Sequence, residues 1–106
     1  MNIVEIKEWI IQHDVEKRTI ESFWNNLKSY RIEQEEEFEQ FFGEFDETEV
    51  QANISQIALM LGNYPDFDSN HIISYVPIIY KGSSIGLYRL YFELDGTTSD
   101  DYFTLY

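Results

Sequence analysis

The chain has 106 residues, no cysteine, and 20 acidic residues against seven basic ones, which gives a net charge of −13 at pH 7. The absence of cysteine excludes disulfides, thiolate zinc sites, iron–sulfur clusters and cysteine nucleophiles. An acidic surface repels nucleic acid phosphates and anionic lipid headgroups, so we expect no direct nucleic acid or membrane partner and favour a basic protein.

The length suits a single domain, and an aromatic content of 17% is enough to anchor one core. The first eight residues, Met1–Glu8, lack the basic segment and apolar segment of a signal peptide. No apolar run approaches the roughly 20 residues that span a bilayer. We therefore expect one domain over residues 1–106 and a cytoplasmic location.

Three helices are predicted before residue 43. The first has Asn2 as its N-cap and an apolar stripe at Ile3, Ile6 and Ile10. The second is predicted to begin with Asp14 as its cap and to bury Ile20, Phe23, Trp24 and Leu27. The third covers Glu33 to Phe42 and directs its phenylalanines, with Phe45, toward the core.

A fourth helix is predicted from Thr48 to Gly62, which makes residues 1–62 mainly helical. Thr48 followed by Gln51 has the form of a capping box, and Gly62 suits a left-handed helix end. The part from Ile57 to Leu61 is also compatible with a buried strand.

Residues 71–106 are predicted to be mainly β. His71 to Tyr80 is rich in Ile, Val and Tyr, and its Pro77 favours an edge strand or a bulge. Turns are predicted at Lys81–Ser84 and at Asp95-Gly96, with strands at Ile85–Glu93 and Tyr102–Tyr106. The expected fold is α+β, with N-terminal helices packed on a small C-terminal antiparallel β-meander of three strands.

The charge is distributed unevenly. Residues 1–31 contain five acids and five bases, whereas residues 32–106 contain fifteen acids against Lys81 and Arg89 only. The densest stretch, residues 33–49, has nine acids and no base. It is either a binding surface for a basic partner or a solvated helix face.

The predicted partner-binding residues are the acids of that stretch and the side chains of the loop near residue 65. They are Glu35, Glu36, Glu37, Glu39, Glu44, Asp46, Glu47, Glu49, Tyr64, Asp66, Phe67 and Asp68. The acids would supply charge, and Tyr64 and Phe67, or Tyr102 and Tyr106, would supply aromatic anchors.

Catalytic residues, metal ligands and cofactors are not predicted. The two histidines, His13 and His71, form no metal-binding motif, and no glycine-rich loop opens a helix. Asp66, Phe67, Asp68, Ser69 and Asn70 imitate the start of a calcium-binding loop, but His71 stands where that loop needs glycine. A weak cation site, or a metal-dependent enzyme, built from Asp66, Asp68, Asp95, Asp100 and Asp101 is an open alternative.

In size, acidity, lack of cysteine and order of elements, the chain resembles the small immunity proteins of bacterial toxin–immunity systems. The run from Gly86 to Gly96, followed by Asp100-Asp101-Tyr102-Phe103, has the same character. The resemblance implies an inhibitor that docks on the basic cleft of a toxin, such as a nuclease, and blocks it.

Two other classes of binding protein fit the same residues. One is a nucleic-acid mimic that inhibits a DNA-binding protein through the same acidic surface. The other is a self-associating module, in which an edge strand at His71–Tyr80 or at the C-terminus pairs with a second copy.

Overall fold

The structure is a computed structural model that describes residues 1–106. Three helices precede an antiparallel sheet, which confirms the predicted α+β fold. The helices are α1 (Ile3–Gln12), α2 (Val15–Glu33) and α3 (Glu35–Phe42), followed by a 3₁₀ turn at Glu47–Glu49. The strands are β1 (Val50–Ala52), β2 (Gln56–Gly62), β3 (Ser69–Tyr80), β4 (Ser83–Phe92) and β5 (Thr98–Leu105).

The first two helix starts differ in how they are capped. The side chain of Asn2 accepts a hydrogen bond from the backbone N–H of Glu5 at 2.9 Å, which confirms the predicted N-cap. Asp14 occupies the predicted N-cap position of α2, but its side chain makes no such bond. Asp14 instead adopts a left-handed conformation (φ 51°) that separates α1 from α2.

The predicted helix from Thr48 to Gly62 is wrong. The carboxylate of Asp46 accepts hydrogen bonds from both the backbone N–H and the hydroxyl of Thr48, so Thr48 is not a helix cap. Only the 3₁₀ turn forms, and β1 and β2 then pair with β3. The alternative interpretation of Ile57 to Leu61 as a strand is confirmed, and the helical part of the chain ends at Phe42.

The sheet has five strands rather than the three predicted. β1 and β2 lie end to end along the same edge of β3, and β4 and β5 continue the meander on its other side. β3 is therefore a central strand, and the prediction of an edge strand at 71–80 is wrong. Pro77 falls between the residues that pair with β2 and those that pair with β1, so that side of the strand requires no N–H from it.

Both predicted hairpin turns are confirmed. Lys81 and Gly82 join β3 to β4 with positive φ values of 49° and 80°, the combination that a tight two-residue hairpin requires. The β4–β5 turn contains Gly96 at φ 94°, and the backbone of Glu93 and Thr97 closes it.

The core lies between the helices and one face of the sheet. Inward-facing residues of β3 and β4 alternate along each strand and pack against α2 and α1. The largest fully buried side chains are those of Tyr88, Phe23, Phe92, Ile72 and Ile78. Trp9 fixes α1 to this layer, because its indole N–H donates to the carbonyl of Leu94 at 3.0 Å.

None of the helices is long and apolar enough to cross a membrane.

Candidate functional site

The acid-rich helix α3 is held in place by an aromatic cluster. Phe38 is only 3% exposed, and its ring lies 4.5 Å from that of Phe42 and 5.0 Å from that of Phe45. Phe45 stacks on Tyr80 at 5.6 Å, which ties the segment to the end of β3. The helical spacing of the phenylalanines thus buries one side of α3 and leaves its glutamates on the other.

The segment after α3 is fixed to the same tyrosine. The hydroxyl of Tyr80 accepts a hydrogen bond from the backbone N–H of Asp46 at 2.9 Å and donates to the carbonyl of Glu44 at 3.4 Å. Gly43, at φ 62°, ends α3 and lets the chain turn toward β1. The acids that follow the helix are therefore held in a defined arrangement against the sheet.

We call the nine carboxylates of this region the acidic surface. All nine side chains are exposed, and none of them pairs with a lysine, arginine or histidine, because the one ion pair of the chain joins His71 and Glu93. The acidic surface consists of Glu33, Glu35, Glu36, Glu37, Glu39, Glu44, Asp46, Glu47 and Glu49. The structure thus brings together eight of the predicted binding residues.

Two bases beside the acidic surface, Arg31 and Lys81, lie over aromatic rings. The guanidinium of Arg31 is 5.5 Å from the ring centre of Phe38 and 5.2 Å from that of Phe45, and the ammonium of Lys81 is 5.4 Å from that of Tyr80. These cation–π contacts stabilise the aromatic cluster. Neither base forms an ion pair with a carboxylate of the acidic surface, although the charge of Lys81 contributes to lowering the pKa of Asp46.

An aromatic groove of about 410 Å³ opens beside the acidic surface, between α2, α3 and β5. Phe41 and Tyr106 are its most accessible rings, at 39% and 73% exposure. Its lining consists of Tyr30, Glu37, Gln40, Phe41, Phe103, Leu105 and Tyr106. A groove with aromatic walls and a carboxylate at its rim suits the aliphatic stem and charged end of a lysine or arginine.

Burial and hydrogen bonds shift the pKa values of two groups at this site, Tyr30 and Asp46. Burial, and then the hydrogen bond that the Tyr30 hydroxyl donates to Glu37 at 3.0 Å, raise the pKa of Tyr30 above its ordinary value. The side-chain and backbone hydrogen bonds from Thr48 lower the pKa of Asp46. Asp46 therefore keeps its negative charge below the pH at which a free aspartate loses it.

The other predicted binding residues lie far from the acidic surface. Tyr64, Asp66, Phe67 and Asp68 are in the β2–β3 loop, before β3 begins, whereas the acidic surface lies at the end of β3 near Tyr80. A strand of 12 residues places these ends roughly 35–40 Å apart. Tyr64 is 83% exposed and its ring contacts only that of Phe67, so the loop is a separate surface.

The aspartates of the metal-site alternative do not converge. Asp101 accepts hydrogen bonds from Tyr88 and Asn26 on the helix side of β5, whereas Asp100 accepts one from Tyr102 on the opposite side. Asp95 accepts from Thr97 within its own turn. No three histidine, aspartate or glutamate side chains lie close enough to hold a metal ion together.

The groove contains residues that the sequence did not single out. Tyr30, Phe41 and Phe103 have the spacing of core residues, and only the packing of α3 against β5 shows that their rings line an open groove. Of the aromatic anchors considered from the sequence, Tyr106 lies in the groove and Tyr102 lies on the opposite side of the sheet. The only indication of the groove in the sequence is the presence of aromatic residues, such as Phe103 and Tyr106, after Asp100 and Asp101.

Comparison of the chain with protein-family models, with curated proteins and with solved structures found no match.

Proposed function

We propose that the protein is a non-catalytic binding protein that docks on a basic partner protein through the acidic surface. The single observation that carries the proposal is a set of nine exposed carboxylates on a rigid aromatic base, with no basic side chain of the chain paired to them. Like charges this close repel one another, and a basic partner relieves that repulsion.

The aromatic groove supports the same proposal. Charge brings two proteins together quickly, but tight binding also needs desolvated anchors near the centre of the interface. The groove offers such a place beside the acidic surface, and both Glu37 and Phe41 of α3 line it. A lysine or arginine of the partner would lay its stem on the rings and its charge on the carboxylate.

The most specific form of the proposal is an immunity protein that occupies the basic, substrate-binding cleft of a toxin in the cytoplasm. A surface of closely spaced carboxylates presents the same sign of charge as a nucleic acid, so a nuclease cleft is a suitable target. Inhibition would follow from occupation of the cleft, and no bond would be made or broken.

The experiment compares two variants with equal loss of charge. Glu35, Glu36 and Glu39 are changed to Gln in one, and Glu8, Glu16 and Glu21, which are exposed on α1 and α2, are changed to Gln in the other. Each protein is immobilised and exposed to lysate of its source organism at physiological and then high salt. We expect a basic protein that is retained by the wild type and by the α1–α2 variant, lost from the α3 variant, and released by salt.

The retained protein is then purified and its own activity assayed with and without the chain. Inhibition of a toxin supports the immunity form, and release of a DNA-binding protein from its DNA identifies the nucleic-acid mimic. Equal retention by the two variants would show that the α3 part of the acidic surface does not carry the binding.

A further inference from the structure

The sheet has a second face, opposite the helices, that no part of the chain covers. The helices contact the sheet through residues such as Ser74, Tyr88 and Phe92, and residues that alternate with these point the other way. We call this side the outer face. Its central members are Ala58, Ile73, Tyr75, Pro77, Leu87 and Tyr91, and the register places the polar residues Gln51, Gln56, Ser69 and Ser84 on the same face toward the strand ends.

The outer face is apolar where a solvated sheet face is normally polar. An antiparallel sheet with one wet face alternates between apolar and polar residues, and continuous apolar strands belong to sheets covered on both sides. Residues 72–80 of β3 form such a continuous apolar strand, because all of them except Ser74 are aliphatic, aromatic or proline. The central strand β3 therefore has the sequence of a strand covered on both faces, while the chain covers only one of them with helices.

The centre of the outer face is already closely packed. Ile73 is 2% exposed although no helix lies over it, and its strand neighbours Ala58 and Tyr91 are half-buried. Nearby, Tyr75, Pro77 and Leu87 are also half-buried and extend the patch along β3 and β4. A partner would thus meet a preformed, ordered surface.

The charges of the outer face are few. Arg89 lies 4.9 Å from the ring centre of Tyr102 and 6.0 Å from that of Tyr91, with no acid paired to it. Asp100 of β5 lies opposite Tyr91 of β4 in the sheet. Near one end of the face, Nε2 of His71 lies 3.3 Å from Oε1 of Glu93. This is very different from the acidic surface, and a basic partner gains little here.

We propose that the outer face is a dimer interface on which a second copy of this chain packs its own outer face across a twofold axis. Two molecules of charge −13 repel each other, so they can associate only through a surface that is nearly free of acids. A twofold axis makes the contact self-complementary, and it allows Arg89 of each copy to face Asp100 of the other.

The area is sufficient for a weak dimer. The outer face is four strands wide, at about 4.8 Å per strand, and about seven residues long, at about 3.3 Å per residue. Its flat area is therefore on the order of 450 Å² per copy. Together the two copies reach about 900 Å² before side-chain relief is added, close to the roughly 1,000 Å² expected of a specific interface. The acidic surface lies with the helix layer, so it stays accessible in such a dimer.

The first test is analytical ultracentrifugation of the full chain over a thousandfold range of concentration. We expect the mass to rise from 12.7 kDa toward twice that value, and the dimer to become tighter as salt screens the repulsion. Binding of a basic partner depends on salt in the opposite direction, so failure of one proposal is distinguishable from failure of the other. A chain that stays monomeric at every concentration and salt overturns the dimer.

The second test locates the interface. Leu87→Glu adds a charge to the outer face, and Ile11→Glu adds the same charge to α1, where the side chain is 79% exposed. We expect at least a tenfold weaker dimer for the first and no change for the second. A folded Leu87→Glu variant that dimerises as the wild type does overturns the proposal.

A charge exchange keeps the test decisive if Leu87→Glu fails to fold. Arg89→Glu and Asp100→Arg each place like charges across the twofold axis, and the double variant restores opposite charges. We expect each single variant to weaken the dimer and the double variant to recover it. Double and single variants that behave alike overturn the assigned contact.

Discussion

Thr19 Oγ1 and Ser74 Oγ lie 2.8 Å apart inside the core and join α2 to β3. Both side chains are fully buried. The next acceptor available to Ser74 is the carbonyl of Leu90 at 3.5 Å, so each hydroxyl is the other's main partner. This hydrogen bond fixes α2 over the central strand of the sheet.

Loss of one hydroxyl from this pair should destabilise the fold. Thr19→Val keeps the shape of the side chain but leaves the Ser74 hydroxyl buried without its main partner, which costs about 1–3 kcal/mol. We expect a lower free energy of unfolding by that amount, measured by urea denaturation with an unchanged m-value.

The double variant Thr19→Val with Ser74→Ala serves as the control. It removes both polar groups, so no buried hydroxyl remains unsatisfied, and we expect it to be no less stable than the single variant. Additive losses in the double variant would contradict the assigned partnership.

The buried hydroxyl of Tyr88 should make the free energy of unfolding depend on pH in the alkaline range. Burial raises the pKa of Tyr88 well above its ordinary value; a hydrogen bond with Ser22 opposes this shift and the bond to Asp101 adds to it. The folded state therefore holds the proton after the unfolded state has released it, near pH 10. The corresponding stability is complete below pH 10 and is lost as the pH rises above that value.

Tyr88→Phe removes this alkaline loss. We expect the variant to be less stable than the wild type by about 1 kcal/mol at neutral pH, because Ser22 and Asp101 lose a hydrogen bond. The difference should shrink as the pH rises above 10 in a series of urea denaturations. Tyr64→Phe, at an exposed position, is the control that should follow the wild type throughout.

The fold was predictable where local signals and packing agree. Asn2 as a cap and the turns at Lys81-Gly82 and Asp95-Gly96 are local chemistry, and the structure retains all three. The segment from Thr48 to Gly62 failed because its apolar residues fit both a helix and a strand, and pairing with β3 decides between them. That pairing involves residues far away in the sequence, which no local pattern contains.

The candidate site was predictable in its charges but not in its shape. The run of acids that includes Glu35 and Glu49 is visible in the sequence, and exposure of such a run is the ordinary expectation. The groove beside it depends on how α3 lies against β5, and the distance of Tyr64 from α3 depends on the length of β3. Both are properties of tertiary packing.

The β4–β5 turn offers a test of one carboxylate. The backbone N–H of Thr97, and then its hydroxyl, donate to Asp95 and lower the pKa of that carboxyl. The stability that this provides is present above the unfolded pKa and is lost as the pH falls through the folded one. We expect Thr97→Val to raise the pKa of Asp95 only part of the way, because the backbone bond remains.

Titration of the Asp95 carboxyl carbon by NMR measures this effect directly. The wild type, Thr97→Val and Thr97→Ser are compared, and Thr97→Ser should match the wild type because it keeps the hydroxyl. A pKa in Thr97→Val that returns fully to the ordinary aspartate value would mean that the backbone bond contributes nothing.

Repulsion among the carboxylates of the acidic surface should lower the free energy of unfolding of the chain. Glu39 lies three and four residues after Glu36 and Glu35 on α3, so its carboxylate is a neighbour of both on the helix surface. Like charges at that spacing destabilise a helix by about 0.2–0.5 kcal/mol per pair. We expect Glu39→Lys to replace two repulsions with two attractions and to raise the free energy of unfolding by about 1 kcal/mol at low salt.

Glu21→Lys on α2 is the matched control with the opposite expected sign. Glu21 follows Lys17 and Arg18 by four and three residues, so the same substitution there turns two attractions into repulsions. Thermal unfolding at low and high salt should show a gain for Glu39→Lys and a loss for Glu21→Lys, both reduced by salt. If Glu39→Lys stabilises the chain and also abolishes retention of the basic partner, the acids of α3 are kept for binding at the expense of stability. If it stabilises the chain and retention is unchanged, Glu39 lies outside the interface and the contact must be made by other acids of the acidic surface.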